Sequence, residues 1–144
     1  MPLFRSLMFV PAHRPRMVQR ALGLEEFVSN DLDVAILDLE DGVPPDEKDR
    51  ARAAIASALG LASNGEGPAR YVRVNRDAGA RDADLAAVLR PGLDGIVAPK
   101  VDRPEEVAQM ARDLDEREDA VRIPRGSIRI VRRESVRERW RRTA

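Results

Sequence analysis

The stretch ILDLEDGVPPDEK, Ile36 to Lys48, decides how the chain is read. An apolar run, Val34-Ala35-Ile36-Leu37, has the length and composition of a buried strand. It breaks off into Asp38, Glu40 and Asp41, three carboxylates in four residues. Like charges this close repel unless a cation, a proton or solvent relieves them. Alternation along an extended chain places Asp38 and Glu40 on one side. Gly42 and the pair Pro44-Pro45 then end the strand, and Asp46-Glu47 reads as a cap and acidic first turn of a helix.

Working outward, the same pattern recurs. Ser6–Val10, Val34–Leu37, Tyr71–Val74, Gly95–Ala98 and Ile128–Val131 read as short buried strands. Between them lie segments of helical spacing. Met17, Val18, Ala21, Leu22 and Val28 share one face, as do Ala51, Ala54, Ile55, Ala58 and Leu59. Leu85, Ala86, Val88 and Leu89 form a third segment, and Val107, Met110, Ala111 and Leu114 a fourth. Pro15 suits a first helical turn. Asp82 is read as the cap of the third helix, and Asp102-Arg103-Pro104-Glu105 as a cap–proline–acid start for the fourth. Four βα units and a fifth strand at a spacing of roughly thirty residues imply an α/β fold with a parallel sheet.

That sheet is either an open doubly wound one or part of a barrel, and ligands bind at the C-terminal strand ends in both. The conspicuous polar residues sit there: His13 and Arg14 after strand one, the three acids after strand two, Arg73 and Asn75 closing strand three, Lys100 after strand four. A dinucleotide-binding domain wants a glycine-rich turn after strand one. Here that turn is VPAHRP, without glycine, which favours a barrel.

Composition narrows the chemistry. The 144 residues allow one domain with a real core. No cysteine and one histidine exclude disulfides, thiolate sites and multi-histidine zinc. Any metal is then a hard ion bound through oxygen, magnesium or manganese. No apolar run nears the roughly 20 residues that span a bilayer, and no signal peptide is apparent. A cytoplasmic protein without membrane contact is expected. The net charge is zero but uneven: residues 132–144 hold six arginines and two glutamates. Those arginines alternate with acids beside an acidic body, so no nucleic-acid footprint emerges.

Four local patterns, RSLMFVPAHRP at 5–15, ILDLEDGVPPDEKDRAR at 36–52, RYVRVN at 70–75 and GLDGIVAPKV at 92–101, together resemble the citrate lyase beta-subunit family of the citrate lyase/2-keto acid aldolase superfamily. The resemblance covers about residues 5 to 131. It implies the N-terminal half of a (β/α)8 barrel over 1–131, and carbon–carbon bond cleavage or formation on citryl, malyl or citramalyl thioesters of coenzyme A or an acyl carrier. It also implies a magnesium cofactor, with manganese as a substitute, and a homo-oligomer in intact members. By the same resemblance Arg73 binds the substrate's carboxylate or carbonyl oxygens. Glu40 and Asp41 lie near the metal and hold its waters, and His13 and Arg14, with Lys100, are candidates for contact with the thioester carrier or substrate.

Ordinary readings stand beside these. Arg73, between Val72 and Val74, can instead pair with a neighbouring acid. Lys100 reads as an ion-pair or phosphate contact in preference to a Schiff-base amine. Lys48 reads as a surface or cap residue, and His13 as an exposed loop residue. The family's direct metal carboxylates come later, one just after strand five. Glu134 stands nearest that place, but Arg132-Arg133 replace the apolar residues before it, and the second carboxylate has no counterpart. The expectation is a chain truncated after about residue 131, with 132–144 an out-of-frame or disordered tail, and little or no lyase activity alone. Such a chain is either a truncated thioester lyase, an inactive half-barrel binding module, or a 2-keto acid aldolase fragment.

Overall fold

The computed structural model describes residues 4–24, 31–61 and 67–132. Five strands form one sheet: β1 (Leu7–Pro11), β2 (Val34–Asp38), β3 (Ala69–Arg73), β4 (Gly95–Ala98) and β5 (Arg129–Arg132). Four helices connect them: α1 (Pro15–Ala21), α2 (Lys48–Leu61), α3 (Ala78–Val88) and α4 (Pro104–Ala120). The strands are all parallel and lie in the order β1-β2-β3-β4-β5. A doubly wound sheet must reverse its order at a switch point, and a barrel does not. The sequential order is that of part of a (β/α)8 barrel, as the absence of glycine in VPAHRP leads one to expect.

Alternation along the strands makes two apolar layers. Val10, Ala35, Leu37, Val72 and Ile96 face the helices and join Val18, Ile55, Leu59, Leu85 and Met110 in the main core. The opposite face carries Val34, Ile36, Tyr71 and Val97, with Leu7, Ala69 and Val131 against them. Each fully buried leucine or isoleucine contributes on the order of 1.5–3 kcal/mol, so the helix-facing layer dominates stability. Register stacks Phe9, Ile36, Tyr71 and Gly95 in one row across the inner face. A Cβ at Gly95 would lie 2.4 Å from the Tyr71 ring, so glycine there makes room for that ring.

The helix starts differ in detail from their sequence reading. Pro15 and Pro104 occupy first-turn positions as expected. Asp77, not Asp82, caps α3, accepting from the Ala80 N–H at 2.9 Å. Pro45–Glu47 forms a short 3-10 turn without a side-chain cap. At α4 the Glu106 carboxylate reaches back to the Asp102 N–H at 3.1 Å, reversing the expected donor and acceptor. No helix among the described residues is long and apolar enough to cross a membrane. Val28 and residues 133–144, and with them Glu134 and almost all of the expected tail, lie outside the described residues.

Candidate functional site

The C-terminal edge of the sheet gathers the polar residues. Asp38 and Arg73 end β2 and β3 as register partners. Arg73 Nε donates to Asp38 Oδ1 at 2.8 Å and Nη2 donates to Oδ2 at 2.5 Å. Guanidinium and carboxylate match as a two-point fork. The side chains are 8% and 5% exposed, and neither charge is tolerable there without the other. Arg73 Nη1 faces Glu40 Oε1 at 3.7 Å, and the guanidinium carbon lies 5.0 Å from the Phe9 ring centroid. The Asp38 hydrogen bonds hold the Arg73 pKa above its ordinary value, outweighing the effect of burial.

Asp38 also shapes the turn. It accepts from the Glu40 N–H at 2.8 Å and the Gly42 N–H at 2.9 Å. A Cβ at residue 42 would sit 2.4 Å from Asp38 Oδ2, which is why the turn needs glycine. The three crowded acids thus find separate relief. Asp38 is neutralised by the fork, Glu40 stands half-buried beside the same cation, and Asp41 is exposed to solvent. The side of the chain that alternation assigns to Asp38 and Glu40 is the side of Arg73.

Below this rim lies a network the sequence reading missed. Lys48 Nζ donates to the Leu39 carbonyl at 2.5 Å, the Glu40 carbonyl at 2.6 Å and Asn75 Oδ1 at 2.9 Å. It is therefore neither a surface contact nor a helix cap. Asn75 Nδ2 and its own N–H both donate to Asp84 Oδ2 at 2.7 Å. Asp84 Oδ1 accepts from Arg52 Nε at 2.8 Å. Asp84 is fully buried, and its place beside Leu85 on the apolar face of α3 was the available signal.

The remaining sequence-selected residues follow β1 and β4. Arg14 is exposed at the start of α1. His13 is half-buried, and its Nδ1 is buried with no hydrogen-bond partner among the described residues. Lys100 is exposed just beyond β4. Among the described residues no group of three or more histidine, cysteine or acidic side chains is placed to hold a metal. Direct coordination does not fit this set: Asp38 is saturated by four donors. Glu40 and Asp41, hard oxygen donors at the rim, fit the role of holding water on a hydrated cation.

The profile of HpcH/HpaI aldolase/citrate lyase matches residues 5–135. The chain belongs to that family. Within it, a (3S)-malyl-CoA thioesterase of Cereibacter sphaeroides is 38% identical over 115 residues, 77% of this chain and 38% of the relative. Citrate lyase subunit beta of Haemophilus influenzae is 33% identical over 132 residues, 91% of this chain and 43% of the relative. The chain thus spans about two fifths of the length of these curated relatives. In three dimensions, the Haloferax volcanii malate synthase solved as a magnesium/glyoxylate complex superposes with a TM-score of 0.74 at 18% identity, over 90% of this chain and 42% of that one. That likeness establishes the shared fold.

Proposed function

We propose that residues 5–132 form the carboxylate-recognition part of a carbon–carbon lyase site for coenzyme A thioesters of hydroxy-dicarboxylic acids, the malyl and citryl type. The observation that carries this reading is the rim fork. Asp38 occupies the Nε/Nη2 edge of Arg73, and a ligand carboxylate would take the Nη1/Nη2 edge, where Glu40 stands 3.7 Å from Nη1 and would give way. The names of the two relatives support the substrate class, since one acts on malyl-CoA and the other is a citrate lyase subunit.

Cleavage of such a thioester breaks the bond between the hydroxyl-bearing carbon and the carbon next to the thioester. The hydroxyl gives its proton to a base as its carbon becomes the carbonyl of an oxo acid. The electron pair of the broken bond passes into the thioester enolate, which a proton then converts to acetyl-CoA. Arg73 would hold the departing acid's carboxylate and stabilise nearby negative charge. Phe9, stacked against the guanidinium, gives that edge an apolar wall. A magnesium ion, when bound, would supply further positive charge for the developing enolate oxygen. Glu40 and Asp41 would orient its waters, which also relieves their mutual repulsion. A cytoplasmic setting, where thioesters of coenzyme A and reduced conditions coexist, completes the proposal.

The test is product analysis with malyl-CoA and citramalyl-CoA, with and without EDTA. EDTA-sensitive release of acetyl-CoA with an oxo acid supports the lyase reading. Release of free coenzyme A and malate marks thioester hydrolysis instead. EDTA-insensitive cleavage, with borohydride trapping at Lys100, marks a Schiff-base aldolase. Saturable malyl-CoA binding without any product marks a binding module.

A further inference from the structure

We propose that Lys48 is a positioning residue for the acidic rim loop: its ammonium draws the Leu39 and Glu40 carbonyls inward and so fixes where Glu40 and Asp41 stand. The task this gives the two carboxylates rests on the thioester-lyase reading, whereas the clamp itself does not.

The ammonium has three hydrogens, and three acceptors converge on it at 2.5, 2.6 and 2.9 Å. No donor is left over for a substrate or for solvent. Two of the acceptors are carbonyls of consecutive residues, Leu39 and Glu40, so both peptide planes are turned toward α2. Three N–H groups of the same segment are tied elsewhere. Leu39 N–H donates to the Arg73 carbonyl at 3.0 Å, and the Glu40 and Gly42 N–H groups donate to Asp38. The loop is thus gripped by a carboxylate on its donor side and an ammonium on its acceptor side. Neither grip uses the side chains of Glu40 or Asp41 as hydrogen-bond acceptors.

The third acceptor is oriented in turn. Asn75 must present Oδ1 to Lys48, because its Nδ2 is committed to Asp84. Asp84 is held by Arg52, one helical turn beyond Lys48 on α2. Lys48, Asn75, Asp84 and Arg52 close a circuit that ties α2, the end of β3 and α3 to the rim loop. A surface lysine pays an entropy penalty to hold one geometry and usually does not. Here buried acceptors impose it.

The charged groups facing the ammonium are Asp84, Asp38, Glu40 and Arg52. Burial is the strongest influence and lowers the Lys48 pKa below the ordinary lysine value, with Arg52 adding to it and the three acids opposing. The folded clamp is therefore lost on raising the pH sooner than a free lysine loses its proton.

The chain has two lysines, Lys48 and Lys100, which makes the test direct. The 144-residue protein is labelled with carbon-13 at lysine and at backbone carbonyls and titrated from neutral to alkaline pH by NMR. Lys100→Arg leaves a single lysine signal and assigns it. The expected result is a Lys48 Cε midpoint below the ordinary lysine value, with the Leu39 and Glu40 carbonyl shifts following at the same midpoint. Lys48→Met should give those two carbonyls their high-pH shifts already at neutral pH, while the carbonyls of Val34–Ile36 stay in place. Lys48→Arg should not restore them, because a planar guanidinium cannot bring three donors to one point. Leu39 and Glu40 carbonyls that stay flat through the Lys48 midpoint overturn the proposal, as does restoration by arginine. If Lys48→Met does not fold, the titration of the unaltered protein decides alone. A chain that passes it yet neither binds nor cleaves malyl-CoA retains the clamp and loses the lyase reading.

Discussion

Asp38 and Arg73 stand opposite each other at the ends of β2 and β3 and close a two-point fork at 2.8 and 2.5 Å. The same carboxylate accepts from two N–H groups of the turn that follows β2. One side chain thus sets both the attitude of the arginine and the course of the acidic loop.

Removing Asp38 should therefore cost more than a surface ion pair does. Asp38→Ala leaves the Arg73 guanidinium buried without its partner, and a loss of about 3–5 kcal/mol is expected. Urea denaturation of the two proteins measures it. A loss below about 1 kcal/mol would place the pair in the class of exposed salt bridges.

Two glycines should respond with opposite signs. At Gly42 a methyl group meets Asp38 Oδ2 at 2.4 Å, so Gly42→Ala should destabilise by about 1–3 kcal/mol. At Gly60, within α2, a methyl group meets nothing within 4 Å. Gly60→Ala should stabilise by about 0.4–1 kcal/mol, through the unfolded chain. Thermal melts of both variants check the pair of signs.

Acid should loosen the start of the sheet through Asp33. Its carboxylate accepts from the Arg5 and Ser6 N–H groups at 2.6 and 3.0 Å. The Arg5 N–H is the strongest cause of a pKa lowered from 3.8; burial opposes it, while the Ser6 N–H and the Arg5 side chain add to the lowering. A depressed folded pKa means that the stabilisation is full above the unfolded value and lost as pH falls through the folded one. Asp33→Asn should remove that part of the acid slope in stability measured between about pH 2 and 7. Arg5→Ala keeps the backbone donor and should retain most of the slope.

The architecture was legible because it depends on local patterns. Apolar runs, proline positions and spacing located all five strands to within two residues, and the glycine-free turn after β1 pointed to the barrel. Partners across the sheet were less accessible. Alternation put Asp38 and Glu40 on one side, but it could not say that Arg73 fills the Nε/Nη2 edge with Asp38. The role of Lys48 is hidden in the sequence because its stem folds back over eight and nine residues to the loop carbonyls, a reach without periodic signature. Asp82 resembles a cap in sequence because Ala78 and Gly79 hide the first turn of α3, which Asp77 begins. Glu118, fully buried on α4, accepts from the Gly126 and Ile128 N–H groups and ties the turn before β5, a role only tertiary placement reveals.

The central claim is that the Nη1/Nη2 edge of Arg73, which Glu40 faces at 3.7 Å, receives a carboxylate of a coenzyme A thioester. The most direct measurement is an NMR titration of the protein with malyl-CoA, following the Arg73 Nε–H signal and the amides of Glu40 and Asp41. The account predicts saturable shifts at these three positions that Arg73→Lys, which keeps the charge but loses the fork, weakens at least tenfold. Saturable binding that leaves the three signals unmoved, or that survives Arg73→Lys unchanged, would contradict it.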